Sequence, residues 1–377
     1  MIVSFGTYDA VKHPRVGIVV DGLRERGEEV RELNHPLGFS TAERVRMLKQ
    51  PWRLPAFAWR LLTCWIALRR DARAMLRSGL VPDAVLVGYM GHFDVLLARR
   101  LFGSAARPGR RRSTIVLDHL IFAGDTAQDR GAQGLRVRLL RGLDARALNA
   151  ADIVLVDTVE HLEMLPDRRK GVHVPVGARA EWFAARSGTP RDEAAELSLV
   201  FFGLFTPLQG APTIARALRL ARERGADFTA TIVGTGQDYD EARAAAGDLA
   251  GVTWVDWVDA HELPALVARH DVCLGVFGTS GKARRVVPNK VYEGAAAGCA
   301  IVTGDTPPQR SAFGDAALYA EPGDPASLAA VIAELAGSPE RVAAARAAAA
   351  AAAEGFRTRD VVAPLLERLR PSGGSAR

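Results

Sequence analysis

The chain has 377 residues, 48% hydrophobic and 24% charged, and its 49 Lys and Arg against 43 Asp and Glu give a net charge of +6. This composition is globular and long enough for two domains, so it excludes a disordered or fibrous chain. The positive balance favours anionic partners such as phosphates, nucleotides or a lipid surface without singling out nucleic acid, and we expect no nucleic-acid partner.

The N-terminal residues MIVSFGTY are typical of a first β-strand, with no basic segment, long apolar stretch or cleavage site of a secretion signal. The three cysteines, Cys64, Cys273 and Cys299, lie far apart and have no Cys or His at metal-ligand spacing. We therefore expect a cytoplasmic protein and no metal site.

Short apolar runs typical of buried strands alternate with helical patterns in the first half. This alternation predicts a parallel sheet wrapped by helices. Strands are expected at Ile2–Phe5, Ala84–Val87, Ser113–Leu117 and Ile153–Val156, and helices at Val16–Arg26 and Val95–Leu101.

The rhythm breaks at residues 178–196, which are rich in Gly, Pro and charge and are predicted to link two domains. Further strands are expected at 197–203, Phe228–Val233, Val252–Trp254, Val272–Val276 and Ala300–Thr303. The sequence thus predicts an α/β protein with two doubly wound, Rossmann-like domains at 1–180 and 181–357. Residues 358–377 are expected to form a helix that could cross back to the first domain, then a flexible tail.

The most informative segment is GKARRVVPNKVYEGAAAGCAIVTGD, residues 281–305. Pro is favoured in a first helical turn, whose free N–H groups and dipole bind anions. Basic side chains concentrate at the same place, so a diphosphate could be held without a metal. The residues concerned are Lys282, Arg284, Arg285, Pro288, Asn289 and Lys290.

Glu293 follows Lys290 by three residues, on a similar helix face. A carboxylate there could accept hydrogen bonds from two ribose hydroxyls, as acidic residues do in dinucleotide sites. The alternative is a surface helix in which Glu293 and Lys290 merely pair, worth about 0.3 to 0.5 kcal/mol. The residues alone leave both interpretations open.

The second half resembles the nucleotide-binding domain of family 4 glycosyltransferases, which have the GT-B architecture. The resemblance rests on four segments in order: FFGLFTPLQGAPTIARAL (201–218), IVGTGQDYDEA (232–242), VTWVDWVDAHELPALVARHDVCLGVF (252–277) and VPNKVYEGAAAGCAIV (287–302). In the family these supply a phosphate loop, a glycine turn, backbone that contacts the base, and a helix with a ribose-binding glutamate.

The resemblance implies that the donor is bound, besides the 282–293 residues, by Gly203, Gln209, Gly210, Gly234, Gly236, Trp257 and Val258. Two departures stand out. Leu204 and Gln209 occupy positions where many members carry Arg and Lys, and Arg285 replaces the first of two glutamates eight positions apart. They indicate either a subgroup with relocated phosphate contacts or a relative that has lost transferase activity.

The first domain is expected to bind the acceptor through polar residues at its strand ends. Gly6 and Thr7 follow the first strand and could approach the donor. One of three basic residues further along the loop could contact the donor phosphates or the acceptor: Lys12, His13 or Arg15. In family 4 enzymes, a polar residue often contacts the transferred sugar. It follows the strand that corresponds to Ser113–Leu117 of this chain. The candidates for catalysis are His92, Asp118 and His119. For each histidine the alternative is a local hydrogen bond.

The resemblance further implies a retaining transfer from a UDP- or GDP-sugar, without cofactor or metal. The enzyme would position the substrates and stabilise charge, with no dedicated nucleophile. A glycan, a glycolipid or a secondary metabolite could be the acceptor. The alternatives are a GT-B nucleotide-sugar epimerase and a non-catalytic nucleotide- or sugar-binding relative.

Residues 53–77 combine an apolar run, two Trp and six Arg. Such a helix could lie on an anionic membrane surface, giving a peripheral location on its inner face. The alternative is a helix packed on the sheet with its Arg stems extended to water.

Overall fold

The computed structural model describes residues 1–10, 13–38, 52, 54–103, 112–188 and 196–370. Two compact units divide the chain: Met1–Val174 with Val361–Arg377, and Pro175–Asp360. Each unit contains one six-stranded sheet in which every pairing is parallel, flanked by helices. The predicted α/β fold class is confirmed.

The first sheet has the order β2-β1-β3-β4-β5-β6. Its strands are β1 (Ile2–Gly6), β2 (Val30–Asn34), β3 (Ala84–Val87), β4 (Thr114–Asp118), β5 (Ile153–Val156) and β6 (Gly171–His173). β3 and β5 are buried throughout, because helices cover both faces of a parallel sheet. From β1 the strand order proceeds to β2 on one side and from β3 to β6 on the other, so the order changes direction between β1 and β3. A doubly wound sheet binds ligands outside the carboxyl ends of its strands at such a point.

The helices of the first unit include a long amphipathic one, α2, whose buried side packs Leu68 and Ala72 into the core. They are α1 (Pro14–Glu25), α2 (Leu54–Arg77), α3 (Asp94–Phe102), α4 (Ala123–Asp129), α5 (Leu135–Ala150) and α6 (Val159–Glu163). Within the described residues, no helix is long and apolar enough to cross a bilayer.

The second sheet has the order β12-β11-β10-β7-β8-β9, so its strand order changes direction between β7 and β10. Its strands are β7 (Leu197–Phe202), β8 (Phe228–Val233), β9 (Val252–Val255), β10 (Val272–Leu274), β11 (Ala300–Gly304) and β12 (Leu318–Ala320). Both β7 neighbours pair with it in register, Leu199 with Ala230 of β8 and with Val272 of β10.

Helices of the second unit bury apolar faces on this sheet. In order they are α7 (Ala180–Gly188), α8 (Ala211–Glu223), α9 (Tyr239–Ala246), α10 (Leu263–Ala268), α11 (Asn289–Ala296), α12 (Pro307–Phe313), α13 (Pro325–Ala336) and α14 (Pro339–Ala353). Two further helices follow: in α15 (Thr358–Val361) the chain passes from the second unit to the first, and α16 (Ala363–Leu369) belongs to the first unit. In α8, Ile214, Leu218 and Ala221 recur at helical spacing and are at most 2% exposed.

Two differences from the sequence-based expectation concern which elements are present. Residues Ala180–Gly188, inside the predicted linker, form α7, because Trp182 and Phe183 are buried in the second unit. Strands β2, β6 and β12 were not predicted. Lys12, residues 189–195 of the predicted linker and the tail 371–377 lie outside the described residues.

Candidate functional site

The loop between β7 and α8 lies at the point where the second sheet reverses. Gly210 ends the loop with φ +69° and precedes the first residue of α8. The N–H of Phe277, which follows β10, donates to the carbonyl oxygen of Gln209 at 3.1 Å. A Cβ at Gly210 would stand 2.6 Å from the carbonyl carbon of Phe277. Residues 203–210, called the phosphate loop here only after the family segment that they resemble, therefore pack directly on the chain that follows β10.

We expect Gly210→Ala to lower the free energy of unfolding by about 2 to 4 kcal/mol, since it adds a backbone clash to the strain of a positive φ. Urea titration measures this loss. Gly225→Ala is the matched control, because Gly225 also has a positive φ (+82°) but nothing lies within 4 Å of its Cβ position. Equal losses in the two variants would show that the close packing on Phe277 does not matter.

Lys290, in the first turn of α11, is 4% exposed and carries its charge to this loop. Its Nζ donates to Oε1 of Gln209 at 2.5 Å and lies 3.6 Å from the ring centroid of Phe201. A Cβ at Gly203 would be 3.2 Å from the same Nζ. Burial lowers the Lys290 pKa to about 7, against the opposing influence of Cys273 and Glu293. An ammonium group with little hydration thus stands at the edge of the phosphate loop.

Glu293 lies one turn further along α11 and is 8% exposed. Burial raises its pKa to about 8, against the attraction of Lys290, and the charge of Glu181 adds to the rise. Within the part of the chain that the structure describes, its carboxyl group makes no side-chain hydrogen bond. A buried carboxyl group with free acceptor capacity is costly unless a ligand or water completes it.

These two pKa shifts predict how stability depends on pH. From the usual 4.5 of a glutamate up to about 8, the folded chain keeps a proton on Glu293 that the unfolded chain releases, so stability falls as pH rises. From about 7 to the usual 10.5 of a lysine, the unfolded chain holds a proton on Lys290 that the folded chain lacks, so stability rises. The pair therefore contributes a stability minimum between about pH 7 and pH 8.

Urea unfolding of the native chain and of a Glu293→Gln, Lys290→Met variant at several pH values isolates this contribution. The difference between the two profiles should fall from about pH 4.5 to pH 7 and rise from about pH 8 to pH 10.5, because all other titrating groups are common to both. Parallel profiles would contradict the pKa assignments.

The remaining residues predicted to bind the donor differ in burial and in what they contact. Gly234 and Gly236 pack against the phosphate loop: the N–H of Phe205 donates to Thr235 at 3.0 Å, and a Cβ at Gly236 would be 2.5 Å from the Phe205 oxygen. Their predicted contact with a nucleotide stays a prediction. Trp257 is 75% exposed and Val258 is half-buried.

The basic residues before α11 are less buried than Lys290. Arg284 is exposed, and Lys282 and Arg285 are half-buried in or beside the short 3₁₀ helix Ala283–Arg285. Pro288 has an extended backbone (φ −73°, ψ 154°) and precedes α11, which begins at Asn289. Pro288 is therefore the N-cap residue, one position before the first helical turn in which it was expected.

In the first unit, Gly6 ends β1 and Thr7 follows it, at the point where the strand order of the sheet changes direction. Both the N–H and the hydroxyl of Thr7 donate to Oδ2 of Asp94, at 2.7 and 2.8 Å. Trp65 Nε1 donates to the other oxygen at 2.8 Å. Thr7 therefore orders the loop through Asp94, and its predicted approach to the donor stays a prediction.

Of the three residues predicted for catalysis, His92 and Asp118 have partners inside the fold. His92 Nε2 is 2.9 Å from Oδ1 of Asp144 in α5. Both carboxylate oxygens of Asp118 accept from Arg15 Nε at 3.3 Å, and the pair is almost fully buried. Burial raises the pKa of Asp118 against the attraction of Arg15. Arg15 is thus committed to Asp118, although the sequence suggested phosphate or acceptor binding for it.

His119 differs, because its buried Nε2 has no hydrogen-bond partner. Burial lowers its pKa to about 3, and the nearby His92 contributes in the same direction. Its ring meets those of His92 and Phe122 edge to face, with centroids 5.1 and 4.6 Å apart. The imidazole is therefore neutral at ordinary pH.

Sequence reasoning missed Asp144, which lies on the buried face of α5. Val137 and Leu148, seven residues before it and four after it, share that face. A carboxylate at helical spacing among apolar residues was the available signal, because such a group must find buried donors. The buried pair of Asp157 Oδ1 and His161 Nδ1, 2.6 Å apart, was also missed.

Solved structures with the same architecture exist at low sequence identity. Sucrose-phosphate synthase from Thermosynechococcus elongatus aligns with a TM-score of 0.66 at 14% identity over 98% of this chain and 97% of that chain. Anabaena HepE in complex with UDP-glucose gives 0.65 at 14% identity over 98% of both chains. Pneumococcal O-GlcNAc transferase GtfA, with UDP and GlcNAc, gives 0.55 at 16% identity over 80% of this chain and 59% of that chain.

At these identities the likeness establishes the fold, which is that of GT-B glycosyltransferases. Residues 196–338 match the family model described as glycosyl transferases group 1. No curated protein matches the chain. The matched residues contain residues 203–210, Lys290 and Glu293.

Proposed function

We propose that the protein is a retaining glycosyltransferase of the family 4 type that takes its sugar from a nucleoside diphosphate donor bound at the β7–β10 edge of the second unit. The observation that carries this proposal is the pairing of a buried ammonium with a buried, unpartnered carboxyl group on one helix. Lys290 faces the phosphate loop, and Glu293 has acceptor capacity for two ribose hydroxyls.

Lys290 would do the work that Arg and Lys of the phosphate loop do in other members. A bound diphosphate is an anion in a poorly hydrated place, so it would raise the lowered pKa of Lys290 and hold the ammonium charged. The departing diphosphate gains charge as the glycosidic bond breaks, and a fixed cation beside it stabilises that change. The donor is thereby bound without a metal at the diphosphate, and Lys282, Arg284 and Arg285 add positive charge to the loop before α11.

The first unit would bind the acceptor, through groups near the carboxyl ends of β1, β3 and β4. We propose a UDP-sugar as the first donor to test, because HepE is described in complex with UDP-glucose and GtfA with UDP. A GDP-sugar is the second. The predicted roles of His92, Asp118 and His119 in transfer stay predictions.

The experiment is a thermal-shift titration with UDP, GDP, ADP and dTDP in EDTA, followed by incubation with the sugar nucleotide of the preferred base. A ligand that binds the folded state raises the melting temperature. Transfer predicts a selective shift and, with a suitable acceptor, a new glycoside. Conversion of the donor sugar without acceptor would indicate an epimerase, and a shift without any turnover a binding protein. No shift with any nucleotide would refute the donor site.

A lipid-linked acceptor is supported by the outer face of α2. Trp59, Leu62 and Ile66 recur on that face and are 69, 48 and 60% exposed. Exposed arginines continue the same face towards the helix end, namely Arg69, Arg70, Arg73 and Arg77. An apolar patch followed by cations suits the headgroup region of an anionic bilayer.

We expect the Trp59→Ser, Ile66→Ser variant to lose most of its co-sedimentation with phosphatidylserine vesicles, since burial of those two side chains supplies the apolar part of binding. Trp257→Ser is the control, because Trp257 is equally exposed but lies in the second unit. Vesicle binding that is the same in both variants, or absent in the native protein, would remove the membrane contact from the proposal.

A further inference from the structure

Three buried side chains from separate elements of the first unit meet at one point. His92 follows β3, His119 follows β4, and Asp144 lies in the middle of α5. They are 5, 2 and 5% exposed. One potential ligand atom from each lies within 4.8 Å of the other two. Two imidazoles and a carboxylate are thus collected away from water, which is costly unless their polar atoms are satisfied.

The carboxylate is held in place by uncharged donors. The N–H of Ala123 donates to Oδ1 of Asp144 at 2.8 Å, and the N–H of Gly124 donates to Oδ2 at 3.0 Å. His92 Nε2 stands 2.9 Å from Oδ1. These three contacts fix the orientation of the Asp144 carboxylate, as hydrogen bonds around a metal site orient a ligating carboxylate.

A histidine–aspartate hydrogen bond accounts for His92 and Asp144 but not for His119. The backbone N–H of His119 donates to Leu155 at 2.9 Å, whereas its Nε2 is buried and has no partner. Its ring packs against His92 and Phe122. Among the described residues, the buried Nε2 of His119 thus lacks a partner beside a second imidazole and a carboxylate, and a cation that accepts nitrogen and oxygen ligands would supply one.

We propose that His92, His119 and Asp144 form a binding site for a divalent transition-metal ion of the zinc type, with two nitrogen ligands and one oxygen ligand. Zinc binds such ligands at about 2.0 to 2.2 Å, which places tetrahedral ligand atoms about 3.3 Å apart. The contact of His92 with Asp144 is already near that separation. On binding, the ion takes the place of the hydrogen bond between His92 Nε2 and Oδ1 of Asp144. An imidazole that binds the ion through Nε2 carries its one proton on Nδ1, so the proton moves between the ring nitrogens and no oxidation state changes.

The proposed metal ligands and the residues proposed for the donor belong to different units. Lys290 and Glu293 belong to the second unit, and the three metal ligands belong to the first. Three protein ligands leave a fourth position of the tetrahedron for water or for an oxygen of a bound molecule. The inference therefore adds a metal site to the proposed function and does not route the diphosphate through it.

The test measures metal directly. The protein is purified without chelator and its metal content determined by plasma mass spectrometry. It is then stripped, dialysed and titrated with Co²⁺, whose visible absorption reports tetrahedral coordination. We expect about one ion per chain and a saturable cobalt spectrum. His119→Ala should weaken Co²⁺ binding at least tenfold, and Asp144→Asn likewise.

His261→Ala is the control, because His261 is exposed in the second unit and should leave binding unchanged. Asp144→Asn also loses hydrogen bonds and could fail to fold, so His119→Ala, whose Nε2 has no partner to lose, decides the matter. Absence of a cobalt spectrum in the folded native protein would overturn the site. So would equal Co²⁺ affinity in the native protein and His119→Ala. Neither readout uses a nucleotide, so failure here leaves the proposed donor site untouched.

Discussion

Glu293→Gln is expected to abolish most of the thermal shift given by the preferred nucleoside diphosphate while leaving the melting temperature of the free protein unchanged or higher. Above about pH 8, where Glu293 is ionised, each hydrogen bond to its carboxylate is worth about 1.5 to 3 kcal/mol, so the loss of two ribose contacts weakens binding by about 100-fold or more. The free protein gains because the buried carboxyl group, whose pKa is raised to about 8, is replaced by a neutral amide. Thermal-shift titration of both proteins measures the two effects together.

Glu181→Gln is the matched control. Glu181 is exposed on α7 and influences Glu293 only through its charge. Its removal should leave nucleotide binding within about twofold of the native value, since exposed charges interact weakly. An undiminished nucleotide shift in Glu293→Gln would contradict the ribose assignment, whatever the melting temperature of the free variant.

Lys290→Met should weaken nucleoside diphosphate binding by about 10- to 100-fold, the loss expected for one charge-assisted hydrogen bond in a poorly hydrated place. Met retains an apolar side chain and removes the ammonium, which lies over the Phe201 ring and contacts Gln209. The corresponding nucleoside, which has no phosphate, should bind both proteins equally. Isothermal titration with the nucleoside and its diphosphate separates the two contributions.

Arg284→Met is the control for net charge, because Arg284 is exposed and outside α11. It should reduce diphosphate affinity by less than about threefold, and added salt should remove that effect. If Lys290→Met and Arg284→Met weaken binding equally, the ammonium at the phosphate loop has no special role, and diffuse positive charge attracts the ligand.

Prediction of the fold from sequence succeeded for the strands in the middle of each sheet. β1, β3, β4 and β5, and β7, β8, β10 and β11, are near-continuous apolar runs, because neighbours on both sides and helices on both faces bury them. The strands not predicted, β2, β6 and β12, all lie at sheet edges. β2 reads VRELN, with two exposed charged residues, so its composition does not distinguish it from a loop.

The sequence could place candidate residues beside one another only where neighbours in sequence are neighbours in space. Lys290 and Glu293 lie three residues apart on one helix, so helical spacing alone places them together. The partner of Lys290 was not available in this way, since Gln209 is 81 residues away and meets it only because β7 and β10 are adjacent. The same holds for His92 with Asp144, 52 residues apart, and Arg15 with Asp118, 103 residues apart.

The sequence by itself determined the α/β class, the central strands, the resemblance of the second half to a nucleotide-binding domain and the helix that carries Lys290 and Glu293. All of these follow from local periodicity and composition, which the hydrophobic effect enforces over one or two turns of helix or a single strand. The order of the strands, the return of the chain from Val361 to the first unit and the meeting of two histidines with Asp144 were decided only by the tertiary structure. Contacts between distant residues depend on which strands are adjacent, and no local pattern in the chain encodes that choice.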